Sequence, residues 1–198
     1  MTLFVLPGMG AGSTMYGGPW RDLDDTLFLD WPEYRNEKTV AELADRLILE
    51  HGITSNDLVL GTSMGGMAAL EIASRLNHER VILIDSATSR REINPLLTML
   101  APLAKITPLR LSQVIAGLAS GELGKMFMKS NPDFIRAMCM AVSQWQEVDF
   151  PEDRIVRIHG SRDHVIHCPD QCYEIKGAGH LAAMTHAKEC VTAVRDSK

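Results

Sequence analysis

The chain contains the stretch Gly61-Thr62-Ser63-Met64-Gly65-Gly66 between a short apolar run and a helical pattern. A serine with glycines two positions before and after it, between a strand and a helix, is typical of a nucleophile elbow. The backbone of such a serine is strained, so the positions two before and two after it must carry almost no side chain. Gly61 and Gly65 meet this need. The free N–H groups at the helix start favour a developing negative charge. The pattern indicates that Ser63 is a nucleophile, and the alternative is an ordinary glycine-rich turn.

A serine nucleophile needs a base, and the base needs an orienting acid. Residues 154–158 form a β-branched segment that leads into a turn ending on Asp163, and residues 172–175 lead into a glycine-rich turn ending on His180. Each candidate therefore follows a predicted strand, at the edge of a parallel sheet where sites form. The order serine, aspartate, histidine and the three matching placements support a catalytic triad of Ser63, Asp163 and His180.

These motifs resemble those of the α/β-hydrolase superfamily. The similar stretches are 6–10, 61–66, 159–163 and 177–180, which together span almost the whole chain. The resemblance implies that Ser63 is the nucleophile, His180 the general base and acid, and Asp163 the orienting carboxylate. It is specific for the fold and the triad but not for the substrate.

The same resemblance indicates where the oxyanion is held. One donor is expected to be the backbone N–H of the residue after the nucleophile, Met64. The family's His-Gly-x pattern in the loop after the first strand maps onto Pro7-Gly8-Met9, which makes the Met9 N–H the expected second donor. Position 7 is proline where many relatives have histidine, but a backbone donor at Met9 does not depend on that side chain.

Other titratable residues compete for these roles. Asp85 also follows an apolar strand segment and is a rival for the triad acid, although the Gly-Ser-Arg-Asp turn of Asp163 resembles the family's acid turn more closely. If Asp85 is structural, we expect it to cap the next loop through Ser86 or Thr88. Nearby histidines also crowd the acid turn: His159 is expected to be structural, whereas His164 and His167 are possible bases or weak metal ligands.

Composition favours one ordinary globular domain covering residues 1–198. The apolar fraction is 45%, the charged fraction 23% and the net charge −5. The acidic balance and the lack of Lys/Arg clusters argue against nucleic acid as a partner. No apolar run is long enough to span a membrane and no signal peptide is recognised, so we expect a cytoplasmic protein with reduced cysteines. A small-molecule acyl substrate, with no cofactor and no metal, is expected, and the oligomeric state stays open.

The alternation of apolar segments predicts an α/β fold with a trimmed, mostly parallel sheet of about six strands flanked by helices. The first strand begins at the N-terminus, whereas larger members of the family resembled here carry two further strands before it. Thr39 and Glu42 form a capping-box pattern at the start of a helix. Only a short segment separates Asp163 from His180, so we expect this crossover to lack a real helix.

Residues from about 89 to 150 interrupt the strand–helix alternation and are predicted to form a helical cap inserted before the last two strands. Pro132 is expected to open a helix that runs to about Gln146. The segment is rich in methionine, which favours either an apolar group bound under the cap or plain packing of the cap helices. The methionines in question are Met99, Met126, Met128, Met138 and Met140.

Gly8, Gly10 and Gly12, with Asp30 further along, invite a dinucleotide-binding interpretation. The third glycine of that fingerprint would fall at position 13, which is a serine. The following Gly17-Gly18-Pro19 also breaks the long helix that would hold a phosphate. A loop at the rim of an active site is the simpler interpretation.

The sequence thus predicts a serine hydrolase that cleaves a carboxylic ester or thioester of a small to medium apolar acid through an acyl-enzyme on Ser63. One alternative is an acyltransferase or carbon–carbon hydrolase that uses the same triad. Another is a non-catalytic protein that binds a small ligand on a hydrolase scaffold. Epoxide hydrolases and dehalogenases of this fold need a carboxylate nucleophile, which Ser63 does not supply.

Overall fold

A computed structural model describes residues 1–95 and 121–197, without the side chains of residues 121–123. Its centre is a single sheet of six strands in which every neighbouring pair is parallel. The strands are β1 (Leu3–Leu6), β2 (Thr26–Phe28), β3 (Leu58–Thr62), β4 (Val81–Ile84), β5 (Ile155–Gly160) and β6 (Tyr173–Ile175). Their order across the sheet is β2-β1-β3-β4-β5-β6. The prediction of about six mostly parallel strands is confirmed.

The three central strands are buried at every position, as expected for parallel strands covered on both faces. Alternate side chains point to opposite faces of a strand, and the apolar residues accordingly divide between two cores. Phe4, Val59 and Leu83 pack in one core, whereas Val5, Leu60 and Ile82 pack in the other. This double covering explains why these strands are apolar throughout instead of alternating.

Helices cover both faces. On one face lie α1 (Val40–His51) and α2 (Met64–Leu76). Thr39 caps α1 by accepting a hydrogen bond from the Glu42 N–H, as the capping-box pattern predicts, while Glu42 in turn accepts from the Lys38 N–H. The other face carries a 3₁₀ helix at Gly18–Asp22, with two helices near the C-terminus.

The helices between β4 and β5 form the segment predicted to be a cap. In the described part of this segment, a 3₁₀ helix covers Arg90–Glu92, and the longer helices are α3 (Gly121–Lys129) and α4 (Pro132–Ser143). Asn131 caps α4 by accepting from two N–H groups of its first turn, and the helix ends at Ser143 instead of Gln146. Met99 lies outside the described residues.

The connection from Asp163 to β6 contains no helix, as expected. The connection instead pairs with residues 92–94, through an isolated antiparallel bridge between Ile93 and Ile166. Backbone hydrogen bonds join Asn94 N–H to Val165 C=O and His167 N–H to Glu92 C=O. The chain then closes with α5 (Ala182–Thr185) and α6 (Ala187–Asp196). Among the described residues, no helix has the length and apolar character needed to cross a bilayer.

Candidate active site

Ser63 lies at the sharp turn between β3 and α2. Its φ of 55° and ψ of −123° are sparsely populated for a residue with a side chain. Neighbouring groups hold this conformation. The Ser63 N–H donates to Ile84 C=O, and the Ser63 carbonyl accepts from the Gly66 N–H and from the Ser86 hydroxyl. The strain is thus fixed by the end of β4 and the first turn of α2.

Glycines around Ser63 allow three backbone segments to meet. A Cβ on Gly61 would lie 2.0 Å from Gly65 O, and one on Gly65 would lie 2.3 Å from Pro7 O. A Cβ on Gly66 would lie 2.4 Å from the Ser86 side chain. These distances are shorter than any van der Waals contact, so only glycine fits. The close packing of these segments therefore explains why the motif requires glycine at these positions.

The structure brings Ser63, His180 and Asp163 together. Ser63 Oγ lies 2.9 Å from His180 Nε2, and His180 Nδ1 lies 2.8 Å from Asp163 Oδ2. Since the carboxylate can only accept, Nδ1 carries the proton, and Nε2 is free to accept the serine proton. The three groups form a continuous hydrogen-bonded line from the serine hydroxyl through the imidazole to the carboxylate.

Two adjoining turns position the acid and the base. Asp163 follows β5, and His180 follows β6 by a glycine-rich turn. The turns touch through Arg162 N–H, which donates to Ala178 C=O. A Cβ on Gly160 would lie 2.6 Å from Ala178 O and from Gly179 O, so this close approach requires glycine.

The Asp163 carboxylate is completely buried but well supplied with donors. Oδ1 accepts from the N–H groups of Val165 and Ile166, and Oδ2 accepts from His180 and lies 3.2 Å from His159 Nε2. Burial alone raises the pKa of Asp163, but the hydrogen bonds from His159 and His180 outweigh burial and hold this pKa well below its ordinary value. Asp163 is therefore an anion beside the His180 ring.

Asp85, the rival acid, has a different role. Its oxygens accept from the N–H groups of Gly160 and Ala182, so it ties the end of β4 to the end of β5 and the start of α5. It does not cap its own loop through Ser86 or Thr88, because its carboxylate points across the sheet edge. Burial raises the pKa of Asp85, and the two backbone donors offset only part of this effect.

The expected oxyanion donors lie near the serine. Met64 is the first residue of α2, where backbone N–H groups have no intrahelical partner. Within the described part of the chain, neither the Met9 nor the Met64 N–H forms a hydrogen bond. Both amides are thus available to an acceptor beside Ser63.

The loop that carries Met9 is held by side chains from outside it. The Gly8 carbonyl accepts from Trp31 Nε1 at 3.0 Å and from the Ala11 N–H, and the Gly8 N–H lies 3.4 Å from Met15 Sδ. In a trans peptide the C=O and the following N–H point in opposite directions. Trp31 therefore fixes the orientation of the Gly8–Met9 peptide, and with it the direction of the Met9 N–H.

A pocket of about 330 Å³ opens beside Ser63 and His180. Its walls are apolar and come mainly from the loop after β1 and from α3; they include Met9, Ala11, Met15, Gly124, Phe127 and Leu181. The described methionines of the predicted cap do not line it: Met138 is fully buried in the core, and Met128 is 42% exposed. Phe127 is thus the main apolar contribution of α3 to the pocket.

The glycines after β1 serve this loop and not a nucleotide. Gly10 allows the Phe127 ring to approach the backbone, since a Cβ there would lie 2.5 Å from the ring. Asp30 accepts hydrogen bonds from the Ser13 N–H and hydroxyl. A 3₁₀ helix at Ser13–Met15 stands where a dinucleotide site needs a long helix.

Among the described residues, neither the remaining histidines nor the cysteines form a hydrogen bond with Ser63. His164 and His167 are exposed on the Asp163–β6 connection, and neither contacts Ser63. Asp85, His159 and Asp163 place potential ligand atoms within 4.8 Å of one another. Their carboxylate oxygens already accept protein N–H donors, which favours a hydrogen-bond network over a cation site. All four cysteines are free thiols, with Cys168 Sγ 3.6 Å from Cys172 Sγ.

Sequence reasoning missed how His159 and Ser86 contribute. His159 was expected to be merely structural, yet its ring reaches the carboxylate that binds His180. Ser86 holds the Ser63 carbonyl. A signal existed for His159, because it lies four positions before Asp163, but its contact depends on a turn that the sequence does not specify.

A family model described as "Alpha/beta hydrolase family" matches residues 3–193. A thermophilic esterase from Thermogutta terrifontis, solved with malate bound, is 17% identical, with a TM-score of 0.77 over 100% of this chain and 89% of that protein. A hydrolase from Oleispira antarctica is 14% identical, with a TM-score of 0.78 over 99% of this chain and 90% of that protein. An N-acyl homoserine lactonase solved with N-hexanoyl homoserine is 14% identical, with a TM-score of 0.72 over 99% of this chain and 88% of that protein. No curated protein matches the sequence.

Proposed function

Because the chain belongs to the alpha/beta hydrolase family, we propose that this hydrolase is a serine enzyme that cleaves a carboxylic ester or thioester of a small to medium apolar acid. The observation that carries the proposal is the line from Ser63 Oγ through the His180 ring to Asp163, at 2.9 and 2.8 Å. A structural serine needs no base at hydrogen-bond distance, and a structural histidine needs no anion behind it. The esterase among the similar structures also favours ester hydrolysis.

Acylation begins when Ser63 Oγ attacks the acyl carbonyl and His180 Nε2 takes its proton. Asp163 stabilises the imidazolium that forms and keeps the ring in the productive tautomer. The carbonyl oxygen becomes an oxyanion, which accepts hydrogen bonds from the Met9 and Met64 N–H groups. Loss of one such donor costs about 2.7–4 kcal/mol of transition-state stabilisation. The carbon–leaving-group bond then breaks, and His180 returns the proton to the departing alcohol or thiol.

Deacylation repeats these steps with water. His180 takes a proton from water as its oxygen attacks the acyl-enzyme, and the second oxyanion uses the same two amides. Collapse breaks the bond to Ser63 Oγ, which regains its proton from His180. The sum is one ester and one water converted to one acid and one alcohol.

The pocket supports an apolar acyl group of limited size. A cavity of about 330 Å³ lies at the lower end of the range typical of small-molecule sites. Phe127 and Met15 offer apolar contacts and no charge that would pair with an ionic acyl chain. Short and medium acyl chains are therefore expected to be preferred over long ones.

The first test is labelling with a fluorophosphonate, followed by peptide mapping and by assays on p-nitrophenyl esters and acyl thioesters of increasing chain length. We expect one stoichiometric adduct on Ser63 and turnover that vanishes in Ser63→Ala with the circular dichroism spectrum unchanged. Ser74→Ala is a matched control, because it removes a hydroxyl near the C-terminal end of α2 that donates to Asp149 C=O and should leave Ser63 able to be labelled. Full esterase activity in Ser63→Ala would refute the proposal.

Product analysis distinguishes the alternatives. An acyltransferase would give more ester than acid when alcohols are added, and a carbon–carbon hydrolase would cleave a diketone substrate but leave simple esters. A folded protein that forms no adduct and hydrolyses labile esters no faster than free imidazole would be a ligand-binding protein.

A further inference from the structure

We propose that His159 is a positioning residue for the hydrolysis, acting by donating its Nε2–H to the Asp163 oxygen that also binds His180. The inference rests on the proposed function, since it concerns the acid that orients the base. His159 lies near the end of β5, four positions before Asp163, and its side chain is only 1% exposed. It does not touch Ser63 or the pocket, so any effect on the reaction passes through Asp163.

The contacts of His159 determine its tautomer. Nε2 lies 3.1 Å from Ile166 O and 3.2 Å from Asp163 Oδ2. Both oxygens are acceptors, so this nitrogen must carry a proton. An unprotonated Nε2 would turn its lone pair toward two buried oxygens. The proton is donated to Ile166 O, and Asp163 Oδ2, at 3.2 Å, is the second acceptor within its reach.

With His159, each Asp163 oxygen has two donors. Oδ1 accepts from the Val165 and Ile166 N–H groups, and Oδ2 from the rings of His159 and His180. Four donors at fixed positions leave the carboxylate no other orientation. Because a misplacement of about 1 Å at such a group costs on the order of 10²-fold in rate, the orientation of Asp163 matters for the reaction.

His159 also affects the charge on Asp163. The ionisable groups that face this carboxyl are His180 from the turn after β6, His159 from β5 and Asp85 from the end of β4. Burial raises the pKa of Asp163, and the hydrogen bond from His159 is the largest effect opposing it, followed by that from His180. In a variant that lacks the His159 donor, we therefore expect the pKa of folded Asp163 to rise, so that its protonation begins at a higher pH.

The test compares three variants of the full chain. His159→Gln places an amide N–H₂ near the position of Nε2 and keeps a donor toward Asp163. His159→Leu fills the site without a donor, and His159→Asn is polar but too short to reach. We expect kcat on the best ester to fall about 10- to 100-fold in the Leu and Asn variants, with KM little changed, and to recover in the Gln variant.

A second readout does not depend on activity. In protein with ¹³C-labelled aspartate, the Asp163 carboxyl carbon should titrate at a higher pH in the Asn and Leu variants than in wild type and Gln. If His159→Leu fails to fold, the Gln–Asn pair carries the same comparison. Wild-type kcat and an unchanged Asp163 titration in the donor-free variants would overturn the inference. A wild type without esterase activity, but with an Asp163 titration that responds to His159, would instead overturn the proposed function alone.

Discussion

At the scale of single residues, the geometry of the candidate site depends on side chains that hold backbone groups as much as on Ser63, Asp163 and His180. Ser86 fixes the Ser63 carbonyl, Asp85 holds the amides of Gly160 and Ala182, and Trp31 holds the Gly8 carbonyl. Each of these contacts restricts a peptide of the candidate site. Preorganised peptides stabilise a developing charge without reorganising during the reaction.

Trp31→Phe tests whether such a contact matters in the loop that carries Met9. The phenyl ring keeps most of the packing against Phe134 but removes the Nε1–H that donates to Gly8 O. With Ala11 N–H as the remaining donor, the Gly8–Met9 peptide is held less firmly, so the Met9 N–H is less well aimed at the oxyanion. We expect kcat/KM to fall about 5- to 10-fold, which corresponds to about 1 kcal/mol, the usual net value of one hydrogen bond.

Trp145→Phe is the matched control for this experiment. Trp145 is buried, whereas Trp31 is partly buried, and the Trp145 Nε1 also donates one hydrogen bond, to Glu71, away from Ser63. The substitution is chemically identical, and it should lower the free energy of unfolding at least as much, but kcat/KM should not change. Equal activity losses in the two variants would mean that Trp31 acts only through stability.

At the scale of elements, the elbow is a meeting of β1, β3 and α2. Gly65, in the first turn of α2, lies against the carbonyl groups of Leu6 and Pro7 at the end of β1. This approach sets the loop that carries Met9 against the first turn of α2, which begins at Met64. The spacing between strand and helix therefore sets the spacing of the two expected oxyanion donors.

Gly65→Ala should disrupt this contact. The added Cβ would lie 2.3 Å from Pro7 O, a backbone atom that cannot rotate away. We expect the free energy of unfolding, measured in urea, to fall by about 1–3 kcal/mol, together with the rate of fluorophosphonate labelling at Ser63. Gly17→Ala is the control, because Gly17 has φ −97° and no atom within 4 Å of its Cβ position. A Gly65→Ala protein as stable as Gly17→Ala would contradict the close approach.

Local patterns predicted the elements well because their causes are local. The glycines of the elbow, the Thr39 cap and the apolar strands each carry their signal within a few residues. The role of Asp85 could not be predicted in this way. Its two partners, Gly160 and Ala182, lie 75 and 97 positions along the chain. The same holds for Trp31, whose contact with Gly8 depends on the course of a loop, and for His159, whose ring direction depends on the Asp163 turn.

At the scale of the whole molecule, one sheet separates two cores. The candidate site lies at the end of the sheet where the carboxyl ends of the strands meet. Ser63, Asp163 and His180 all follow the carboxyl ends of strands, β3, β5 and β6 respectively. Parallel strands place these ends on the same edge, which is where ligands bind in open α/β sheets. Trp20 joins the segment after β1 to the helix after His180 by donating to Ala183 C=O.

The single domain predicted from the sequence requires that both cores unfold together. The three tryptophans allow this to be tested, because Trp20 packs in the core on one face and Trp145 in the core on the other. In Trp31→Phe/Trp145→Phe only Trp20 reports, and in Trp20→Phe/Trp31→Phe only Trp145 reports. Within each variant, we expect the urea midpoint from fluorescence to equal that from far-ultraviolet circular dichroism, as two-state unfolding requires. The comparison is made inside each variant because the lost hydrogen bonds alter stability differently. A Trp145 transition that precedes the loss of circular dichroism would show that one face opens on its own, and that the chain contains two cooperative units.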